Sequence, residues 1–457
     1  MTLRYRRIIY LVFIAVFLII APIITLYSTG YRYNFKKNKI EKTGILNIDS
    51  KPRGALIYLN GQYQNKTPAR FTNLLPDRYQ VKVEKDGYYP WQKDLEVKSN
   101  LTTFAKDIVL FKQNLPVNIV GGEINVFEIS PNQEKIIYSI TNQNTEELRL
   151  INLKNQSDFL IQQLNSRSYN QLEFVSWSPS QNKALLKEVI GDFNQYLIVD
   201  VATLKIKELF DVTRLNFSQV NWPDSTDNYL YGLRKAVLYQ IDLVNNSSRT
   251  LLSANIDDFR IKGEEIYLIT KVGSQAFLDK TSLKDQKISE IERIKLPSPS
   301  EYTLQPSSPG NLVLLDKKNN DLFIITADSF AAQDISQNII LQDKAKKIIW
   351  SKDFKMILYY TDFEISTFNF EKKQKNLVTR YGETINQAFW YPDNKYVIYQ
   401  LKNSIRAIEA ESDEFKNDLE LTQLSAVDSM AADDNGKNLY FKGKAGAQPG
   451  IYRLEIQ

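Results

Sequence analysis

The chain of 457 residues contains neither cysteine nor histidine. Without cysteine it forms no disulfide, no thiolate zinc site and no cysteine nucleophile, although this absence does not identify its redox compartment. Without histidine, Ser-His-Asp and Cys-His catalysis, HExxH zinc sites and imidazole pH switches are excluded. An enzyme of this composition would have to use carboxylates, lysine, tyrosine or serine alone.

Several short motifs are absent as well. The chain has no GxxxxGK[ST], GxGxxG or GxSxG motif and no complete EF-hand loop, so nucleotide-binding, hydrolase and calcium-loop functions lack their defining residues. The segment Asp433-Asp434-Asn435-Gly436 resembles part of a calcium loop, but a short acidic turn of this kind is more often a plain hairpin. We therefore predict no catalytic residues, no metal site and no cofactor.

The excess of basic residues lies near the N-terminus. The net charge is +5, yet the first 43 residues hold eight lysines and arginines against one glutamate, which leaves about −2 for residues 44–457. A nucleic-acid-binding protein needs clustered cations on its folded body. The pattern instead favours contact with lipid headgroups and predicts no nucleic-acid partner.

An apolar run from Ile8 to Tyr27 carries no charged side chain, and 14 of its 20 residues are Ile, Leu, Val or Phe. At about 1.5 Å of rise per residue, a helix of this length spans roughly 30 Å, the thickness of the hydrocarbon core of a bilayer. We therefore predict that residues 1–27 form a short cytoplasmic lead and a transmembrane helix, with residues 8–27 in the bilayer.

For this run, both its retention in the mature chain and its orientation in the membrane have alternative interpretations. A cleaved signal peptide would have a shorter apolar centre and a small-x-small site, which LYSTGYRY does not provide. Three arginines before the run favour a cytoplasmic N-terminus, whereas five cations between residues 32 and 42 oppose it. The short lead is typical of an uncleaved signal anchor and favours an extracytoplasmic location for residues 44–457. A cytosol-facing scaffold of reversed topology stays open.

Residues 28–43 are polar and basic without sustained periodicity, so we predict a basic stalk there. From Gly44 to Lys112 the pattern changes to five or six short alternating runs, namely ILNID, ALIYLN, YQVKV, DLEVK and DIVLF. Residues on one face of such a strand are apolar and those on the other are polar. Residues 44–112 are therefore predicted to form a small antiparallel β-sandwich with a modest core.

This segment resembles a PEGA domain, a small β-sandwich module of surface and envelope proteins. The name-giving tetrapeptide stands here as Pro52-Arg53-Gly54-Ala55, and it is followed in order by Asn60-Gly61, Thr67-Pro68, Leu75-Pro76 and Gly87-Tyr88. Arg53 replaces the family's glutamate, and Asp77 stands where glycine is usual. The resemblance implies a binding or spacer module without known catalytic residues.

The densest aromatic cluster, Tyr88-Tyr89-Pro90-Trp91, lies in the same module. Because Gly87-Tyr88 matches a structural feature of the family, we expect Tyr88 in the core. Tyr89 and Trp91 would then lie on the other face, where they are our candidate ligand-binding residues for peptidoglycan or another glycan. The alternative is that these aromatic rings seal the interface to the next domain.

Residues 113–457 repeat a unit of about 43 residues. Each unit has an apolar strand, a polar turn and a second apolar strand, with turns at residues 132, 180, 224, 263, 309, 353, 393 and 434. This period is that of a four-stranded propeller blade. The motif resembles repeats of TolB-like propellers, and eight repeats predict eight blades, or seven if residues 256–297 are only an insertion.

The last repeat lacks a fourth strand of its own. Leu115, Val117 and Ile119 precede the first repeat and are placed to supply that strand, which would join the ends of the ring and leave no open edge there. Four tryptophans stand just before turns, and their recurrence at one repeat position predicts core packing rather than sugar stacking; they are Trp177, Trp222, Trp350 and Trp390.

The predicted fold class is all-β with one N-terminal transmembrane helix, a PEGA-like β-sandwich and an eight-bladed (alternatively seven-bladed) β-propeller. The chain thus combines a membrane anchor, a spacer module and a binding scaffold in series. This order predicts a non-enzymatic surface protein of a bacterial-type envelope that crosses the cell membrane once. Its propeller would bind a protein or a cell-wall glycan. The alternative is a glycosidase-like envelope hydrolase that uses carboxylates in the propeller funnel. Asp362, Glu364 and Asp393 are acidic loop residues, but no spacing rule singles out a catalytic pair.

Overall fold

A computed structural model of the chain describes residues 3–142, 145–165, 171–284, 287–327, 330, 335–410 and 416–457. The chain divides into two compact units. The N-terminal unit comprises Met1–Asn114, Asp413–Leu421 and Ile456–Gln457, and the repeat domain comprises Leu115–Ser412 and Thr422–Glu455. Strands dominate both units.

The first element is a long apolar helix, α1 (Leu3–Ser28), with Pro22 inside it. Its segment Tyr5–Ser28 is long and apolar enough to cross a membrane, and none of that span is buried against protein. Proline is tolerated within membrane helices because neighbouring groups and local adjustments satisfy the freed backbone carbonyl. The helix is a candidate membrane anchor, as the sequence predicts.

Residues 31–42 form a β-hairpin, which the sequence did not predict. Strand β1 (Tyr31–Asn34) pairs antiparallel with β2 (Lys39–Lys42), with Tyr33 opposite Ile40. The buried side chain of Asn34 accepts hydrogen bonds from the backbone N–H groups of Lys36 and Lys37, at 3.0 and 3.2 Å. The turn is thus stabilised by a local side-chain contact that leaves no periodic signal in the sequence.

The sandwich predicted for residues 44–112 is present and has seven strands. One sheet has the order β5-β4-β7-β8 and the other the order β6-β3-β9, in which β3 and β9 run parallel. The strands are β3 (Gly44–Lys51), β4 (Leu56–Leu59), β5 (Gln62–Lys66), β6 (Ala69–Leu74), β7 (Asp77–Glu84), β8 (Trp91–Val97) and β9 (Thr102–Val109). Inward-facing residues of both sheets form one apolar core, which includes Leu46, Ile57, Val81 and Ile108.

Among its described residues the repeat domain contains eight sheets of four or five strands. Sheet 1 contains β11 (Glu123–Ile129), β12 (Lys135–Asn142), β13 (Thr145–Asn152) and β14 (Ser157–Asn165), and sheet 2 contains β15 (Gln171–Trp177), β16 (Lys183–Ile190), β17 (Phe193–Asp200) and β18 (Lys205–Glu208). Sheet 3 contains β19 (Gln219–Asn221), β20 (Tyr229–Arg234), β21 (Val237–Asp242) and β22 (Ser247–Ser253). Sheet 4 contains β23 (Ile256–Lys262), β24 (Glu265–Val272), β25 (Gln275–Lys284), β26 (Lys287–Ile288) and β27 (Glu292–Lys295).

Sheet 5 contains β28 (Tyr302–Gln305), β29 (Asn311–Asp316), β30 (Asp321–Thr326) and β31 (Ile339–Lys344), and sheet 6 contains β32 (Lys347–Trp350), β33 (Met356–Tyr360), β34 (Glu364–Asn369) and β35 (Gln374–Arg380). Sheet 7 contains β36 (Ile385–Trp390), β37 (Tyr396–Leu401), β38 (Ser404–Glu409) and β39 (Asp418–Gln423). Sheet 8 contains β40 (Ala426–Ala432), β41 (Asn438–Ala445), β42 (Gln448–Glu455) and β10 (Val117–Gly121). A short helix α2 (Leu209–Thr213) follows sheet 2, and a 3-10 helix (Ile335–Asn338) precedes β31.

Strand pairing bears on the fourth repeat and on the strand expected to complete the last one. The degenerate fourth repeat, residues 256–297, forms sheet 4 through antiparallel pairing of its own strands. Strand β10 completes sheet 8 by pairing with β42, with Val117 opposite Arg453 and Gly121 opposite Gly450. Leu115 lies just before this strand.

The sheets pack face to face in sequence order. Separate apolar clusters lie between sheets 1 and 2, 2 and 3, 3 and 4, 4 and 5, 5 and 6, and 6 and 7. Another cluster joins sheet 1 to sheet 8 through Phe127, Tyr138, Tyr440 and Ile451. Between sheets 7 and 8, the Gln387 side chain donates to the Met430 carbonyl and accepts from its N–H. Sheets 1 to 6 therefore each bury apolar side chains on both faces.

Candidate functional site

A cavity of about 540 Å³ lies within the repeat domain. Its walls are the first strands of sheets 1, 6, 7 and 8, together with residues of the turns that follow three of these strands. Small-molecule sites in proteins commonly measure roughly 300–1,000 Å³. The cavity is therefore large enough for a sugar unit or an amino-acid side chain.

Equivalent positions of the four strands line one level of the cavity. We count the paired residues outward from the turn that joins the first and second strands of each sheet. The second pair then contains Glu128 in β11, Ile349 in β32, Phe389 in β36 and Ala431 in β40. One strand thus contributes a carboxylate where the other three contribute apolar side chains.

The Glu128 carboxyl group is accessible from the cavity but is closely surrounded by protein. This partial loss of solvation raises its pKa, and the positive charge of Lys347, another lining residue, acts in the opposite direction. Loss of solvation is the larger of the two effects.

The aromatic walls are held in place by hydrogen bonds to neighbouring sheets. The indole N–H of Trp350 donates to the Pro306 carbonyl oxygen at 2.9 Å, and that of Trp390 donates to the Ile349 carbonyl oxygen at 3.2 Å. The Tyr391 hydroxyl donates to the Gly436 carbonyl oxygen at 3.0 Å. These side chains thus present fixed apolar surfaces, while their polar atoms are already used.

Two side-chain oxygens at the cavity wall have no hydrogen-bond partner in the structure. They are Gln133 Oε1 and Asn394 Oδ1, and both are buried atoms of turn residues that line the cavity. Buried acceptors without partners are costly, typically by about 1–3 kcal/mol each. Both atoms are enclosed by protein, so among these three acceptors it is the exposed Glu128 carboxylate that faces the open volume of the cavity.

Two ion pairs involve charged residues of the cavity wall. The Lys352 ammonium lies 2.5 Å from Asp434 Oδ1, and the Lys442 ammonium lies 3.7 Å from Asp428 Oδ2. These are largely exposed pairs of the kind that adds little stability. They leave the charge of the wall close to balanced.

The candidate residues Tyr89 and Trp91 belong to the N-terminal unit rather than to this cavity. Trp91 begins β8 and is only 4% exposed, within the core of the sandwich. The prediction that it faces away from the core is therefore wrong, and its ring offers no surface to a ligand. Tyr88 is half-buried and packs against the same core. Tyr89 is also half-buried, with its backbone N–H donating to the Phe111 carbonyl oxygen at 2.8 Å.

The four repeat tryptophans pack in or against the clusters between sheets, and two of them, Trp350 and Trp390, also line the cavity, where core packing alone was expected. Trp222 and Trp390 are buried, whereas Trp177 and Trp350 are partly buried and pack against the clusters between sheets. The Trp177 indole N–H donates to the Ile129 carbonyl oxygen at 3.0 Å, while Trp222 Nε1 has no partner. At three of the four positions the indole group therefore also bridges to the preceding sheet.

The three acidic loop residues named from the sequence each have a local partner, and Asp393 accepts a hydrogen bond from the Lys395 N–H at 2.8 Å. Asp362 pairs with Lys346, and Glu364 pairs with Arg380, both at 2.7 Å. Asp433 accepts hydrogen bonds from the backbone of Lys437 and the side chain of Asn438, as expected for a hairpin turn. In the described part of the chain, no group of three or more acidic side chains is placed to hold a metal ion.

Comparison with known families identifies the first module. Residues 43–113 match the PEGA domain. In this PEGA domain the tetrapeptide forms a tight turn in which Gly54 has a φ of 79° and its N–H donates to the Thr67 carbonyl oxygen. Arg53, the residue that departs from the family pattern, forms a two-fold hydrogen bond with the Asp49 carboxylate.

Solved structures similar to this chain are β-propellers. The Dos1 propeller aligns with a TM-score of 0.50 at 12% identity, covering 75% of this chain and 95% of that one. Dihydro-heme d1 dehydrogenase NirN in complex with DHE aligns with a TM-score of 0.50 at 12% identity, covering 73% of this chain and 75% of that one. At this identity the likeness concerns the fold alone. Comparison with curated proteins gave no sequence match.

Sequence reasoning missed Glu128, Lys347, Gln133 and Asn394. The sequence contained one usable signal, because Glu128 interrupts the apolar strand VFEIS at a position where three other repeats have isoleucine, phenylalanine or alanine. The remaining residues are polar groups in ordinary turns and strand starts. Only the approach of sheets 1, 6, 7 and 8 brings them together.

Proposed function

We propose that this protein is a non-enzymatic, single-pass membrane protein of a bacterial-type cell envelope that binds a protein or glycan partner through a β-propeller. In this proposal α1 spans the cell membrane as a signal anchor, and residues 44–457 lie on the extracytoplasmic side. The PEGA domain acts as a spacer between the anchor and the propeller.

The proposal includes a closed propeller of eight blades. Eight four- or five-stranded sheets among the described residues, packed in sequence order, support this arrangement. The cluster between sheets 1 and 8 and the pairing of β10 with β42 support closure. A closed ring removes the exposed sheet edge that would otherwise favour aggregation.

The observation that carries the binding role is the composition of the cavity. The Trp350 ring, held by its indole hydrogen bond, and the Phe389 side chain lie in the same cavity as the exposed carboxylate of Glu128. Such a site suits a ligand with an apolar face and a cationic group or an N–H or O–H donor. Saccharides and the lysine or arginine side chains of a protein share this chemistry.

The same composition disfavours the hydrolase alternative. Glycoside hydrolysis requires two carboxyl groups that flank the bond to be cleaved. At the positions of the other three strands that correspond to Glu128, the cavity is lined by apolar side chains. Asp428, the other carboxylate of the lining, forms an ion pair with Lys442. We therefore propose binding without bond cleavage.

The test is photocrosslinking on intact cells with benzoylphenylalanine at position 352, on the cavity wall. The matched control carries the same group at Lys205, which is exposed on β18. We expect a captured species specific to position 352, whose affinity for the purified full chain falls about tenfold in Glu128→Gln, which removes the charge of the accessible acceptor. Equal capture at both positions would contradict the cavity as the binding site.

The location is tested separately by protease treatment of intact cells. We expect residues 44–457 to be degraded while the membrane stays sealed, as judged by an intact cytoplasmic marker. Protection of these residues, followed by degradation after lysis, would overturn the extracytoplasmic assignment.

A further inference from the structure

The hairpin that follows α1 carries an exposed apolar patch. Tyr33, Phe35 and Ile40 are 47%, 83% and 56% exposed. Tyr33 and Ile40 are opposite each other in the strand register, and the rings of Tyr33 and Phe35 meet edge to face with centroids 4.9 Å apart. Three large side chains therefore form one contiguous patch on a twelve-residue hairpin.

Positive charge surrounds this patch. Residues 31–42 contain five lysines and arginines against Glu41, a net charge of +4. The Glu41 carboxylate is already engaged within the hairpin, with Lys39 Nζ at 2.7 Å and Asn34 Nδ2 at 2.6 Å. The Lys36 side chain is 84% exposed. The hairpin thus combines exposed apolar groups with an excess of exposed cations.

Local contacts hold the hairpin at the end of the helix. Only two residues separate α1 from β1. The Arg32 guanidinium donates to the carbonyl oxygens of Tyr27 and Tyr31 at 2.7 and 2.8 Å. Thr43 donates to the Gly30 carbonyl oxygen through its N–H and its hydroxyl, at 2.9 and 2.8 Å. These bonds restrict the hairpin to the immediate neighbourhood of the helix end.

We propose that the hairpin, residues 31–42, lies on the surface of the membrane and binds anionic lipid. Tyr33, Phe35 and Ile40 enter the boundary between headgroups and acyl chains, and Lys39 and Lys42 contact lipid phosphates. The inference rests on the proposed insertion of α1, whose C-terminal end would lie at the headgroup level. Aromatic side chains favour that depth, and cations near an anionic leaflet are attracted to it.

This contact would also set the orientation of the PEGA domain. Lys36 Nζ lies 3.3 Å from Asp77 Oδ2, and Lys37 Nζ donates to the Pro76 carbonyl oxygen at 3.0 Å. Pro76 and Asp77 lie at the start of β7, a strand of the sandwich. A hairpin that contacts lipid on one side and this turn on the other therefore fixes the orientation of the sandwich relative to the membrane surface.

The test uses the full chain in lipid nanodiscs, with single cysteines introduced by Ile40→Cys, Gln64→Cys or Phe17→Cys. The absence of native cysteine makes each label site-specific. Each site carries an environment-sensitive fluorophore, and quenching by lipids that are spin-labelled at the headgroup or the mid-chain is measured. Position 17 reports insertion of α1, and Gln64, exposed on β5, reports solvent.

We expect headgroup-level quenching and a blue-shifted emission at position 40, and neither at position 64. Replacing part of the phosphatidylcholine by phosphatidylglycerol should deepen this quenching. Lys39→Gln/Lys42→Gln should reduce the response to anionic lipid, by about fivefold in apparent affinity per lysine. Lys51→Gln/Lys66→Gln removes the same charge from the sandwich strands β3 and β5 and should change little.

Two outcomes overturn the inference while leaving the anchor intact. One is solvent-like behaviour at position 40 in all lipids although position 17 is quenched at mid-chain depth. The other is shielding at position 40 that ignores lipid charge and grows with the number of chains per disc, which would indicate contact with a second copy. Lack of quenching at position 17 would instead contradict the proposed membrane anchor itself.

Discussion

The guanidinium carbon of Arg32 lies 3.5 Å from the ring centroid of Tyr27, and the same side chain donates a hydrogen bond to the Tyr27 carbonyl oxygen. Tyr27 is in the last turn of α1, and Arg32 is in β1. The last carbonyls of a helix lack intrahelical donors and carry partial negative charge, which a guanidinium complements. One residue therefore joins the end of the anchor to the hairpin.

We expect Arg32→Gln to loosen the hairpin by about 1–2 kcal/mol, since it removes a cation–π contact and a charge-assisted hydrogen bond. Amide hydrogen exchange of residues 31–42, measured on the full chain in nanodiscs, should accelerate about tenfold. Arg70→Gln is the control, because Arg70 is exposed on β6. Equal exchange in both variants would show that Arg32 does not hold the hairpin.

Trp390 and Trp222 provide a matched pair for measuring the hydrogen bond between sheets. Both are buried, but Trp390 Nε1 donates to the Ile349 carbonyl oxygen, whereas Trp222 Nε1 has no partner. Each phenylalanine variant loses ring volume, but only Trp390→Phe loses a hydrogen bond. We expect it to lower the free energy of unfolding by about 1 kcal/mol more than Trp222→Phe does. Denaturation of the full chain in detergent measures the difference, and equal losses would argue against a bridging role.

Gly450 tests the pairing of β10 with β42. A Cβ atom at this position would lie 2.2 Å from the Val120 carbonyl oxygen and 2.7 Å from Asn118 Nδ2. Because the first of these is a backbone atom, Gly450→Ala must displace β10, at a cost of about 1–3 kcal/mol. We expect faster hydrogen exchange in residues 117–121 than in the unchanged chain. Gly382→Ala meets no atom within 4 Å and serves as the control. Unchanged exchange in β10 would contradict this pairing.

The pKa of Glu128 is raised above its ordinary value of 4.5 by loss of solvation. The folded state therefore binds the proton more tightly than the unfolded state does, and this group contributes more stability below its unfolded pKa than at neutral pH. Relative to Glu128→Gln, the unchanged chain should gain stability as pH falls through the folded pKa towards 4.5. Urea denaturation of both proteins at pH 7 and at pH 4.5 measures this difference. A difference that is constant with pH, or of opposite sign, would contradict the stated environment of Glu128.

The sequence predicted the architecture well because the relevant signals are local and repeated. The apolar run to Tyr27 and the alternation in YQVKV depend on neighbouring residues only, and the period of about 43 residues is visible because the same local pattern recurs along the chain. Even the completion of sheet 8 by Val117 followed from a missing strand in the last repeat. In contrast, the hairpin at residues 31–42 is stabilised by Asn34, Arg32 and Thr43 through individual hydrogen bonds, which leave no periodic pattern.

The placement of Trp91 shows a different limit. Counting alternation from Tyr88 assumes continuous extended strand, but Tyr89 and Pro90 lie between an isolated bridge at Tyr88 and the start of β8. The alternation therefore restarts at Trp91, which faces the core. The cavity in the repeat domain was missed for a third reason, because Glu128 and Lys347 come from strands far apart in sequence. Their proximity depends on how the whole set of sheets packs.

The pairing of β10 with β42 has a mechanical consequence. The chain enters the repeat domain through β10, an edge strand whose partner β42 comes from the far end of the sequence, whereas the other sheets are built from consecutive strands. Tension applied to the backbone before β10 would load the hydrogen bonds between β10 and β42, together with the bond from the Lys112 N–H to the Ile456 carbonyl oxygen. Rupture of these bonds would leave seven sheets with their own strands intact, so a stretched molecule could reclose by re-pairing a single strand.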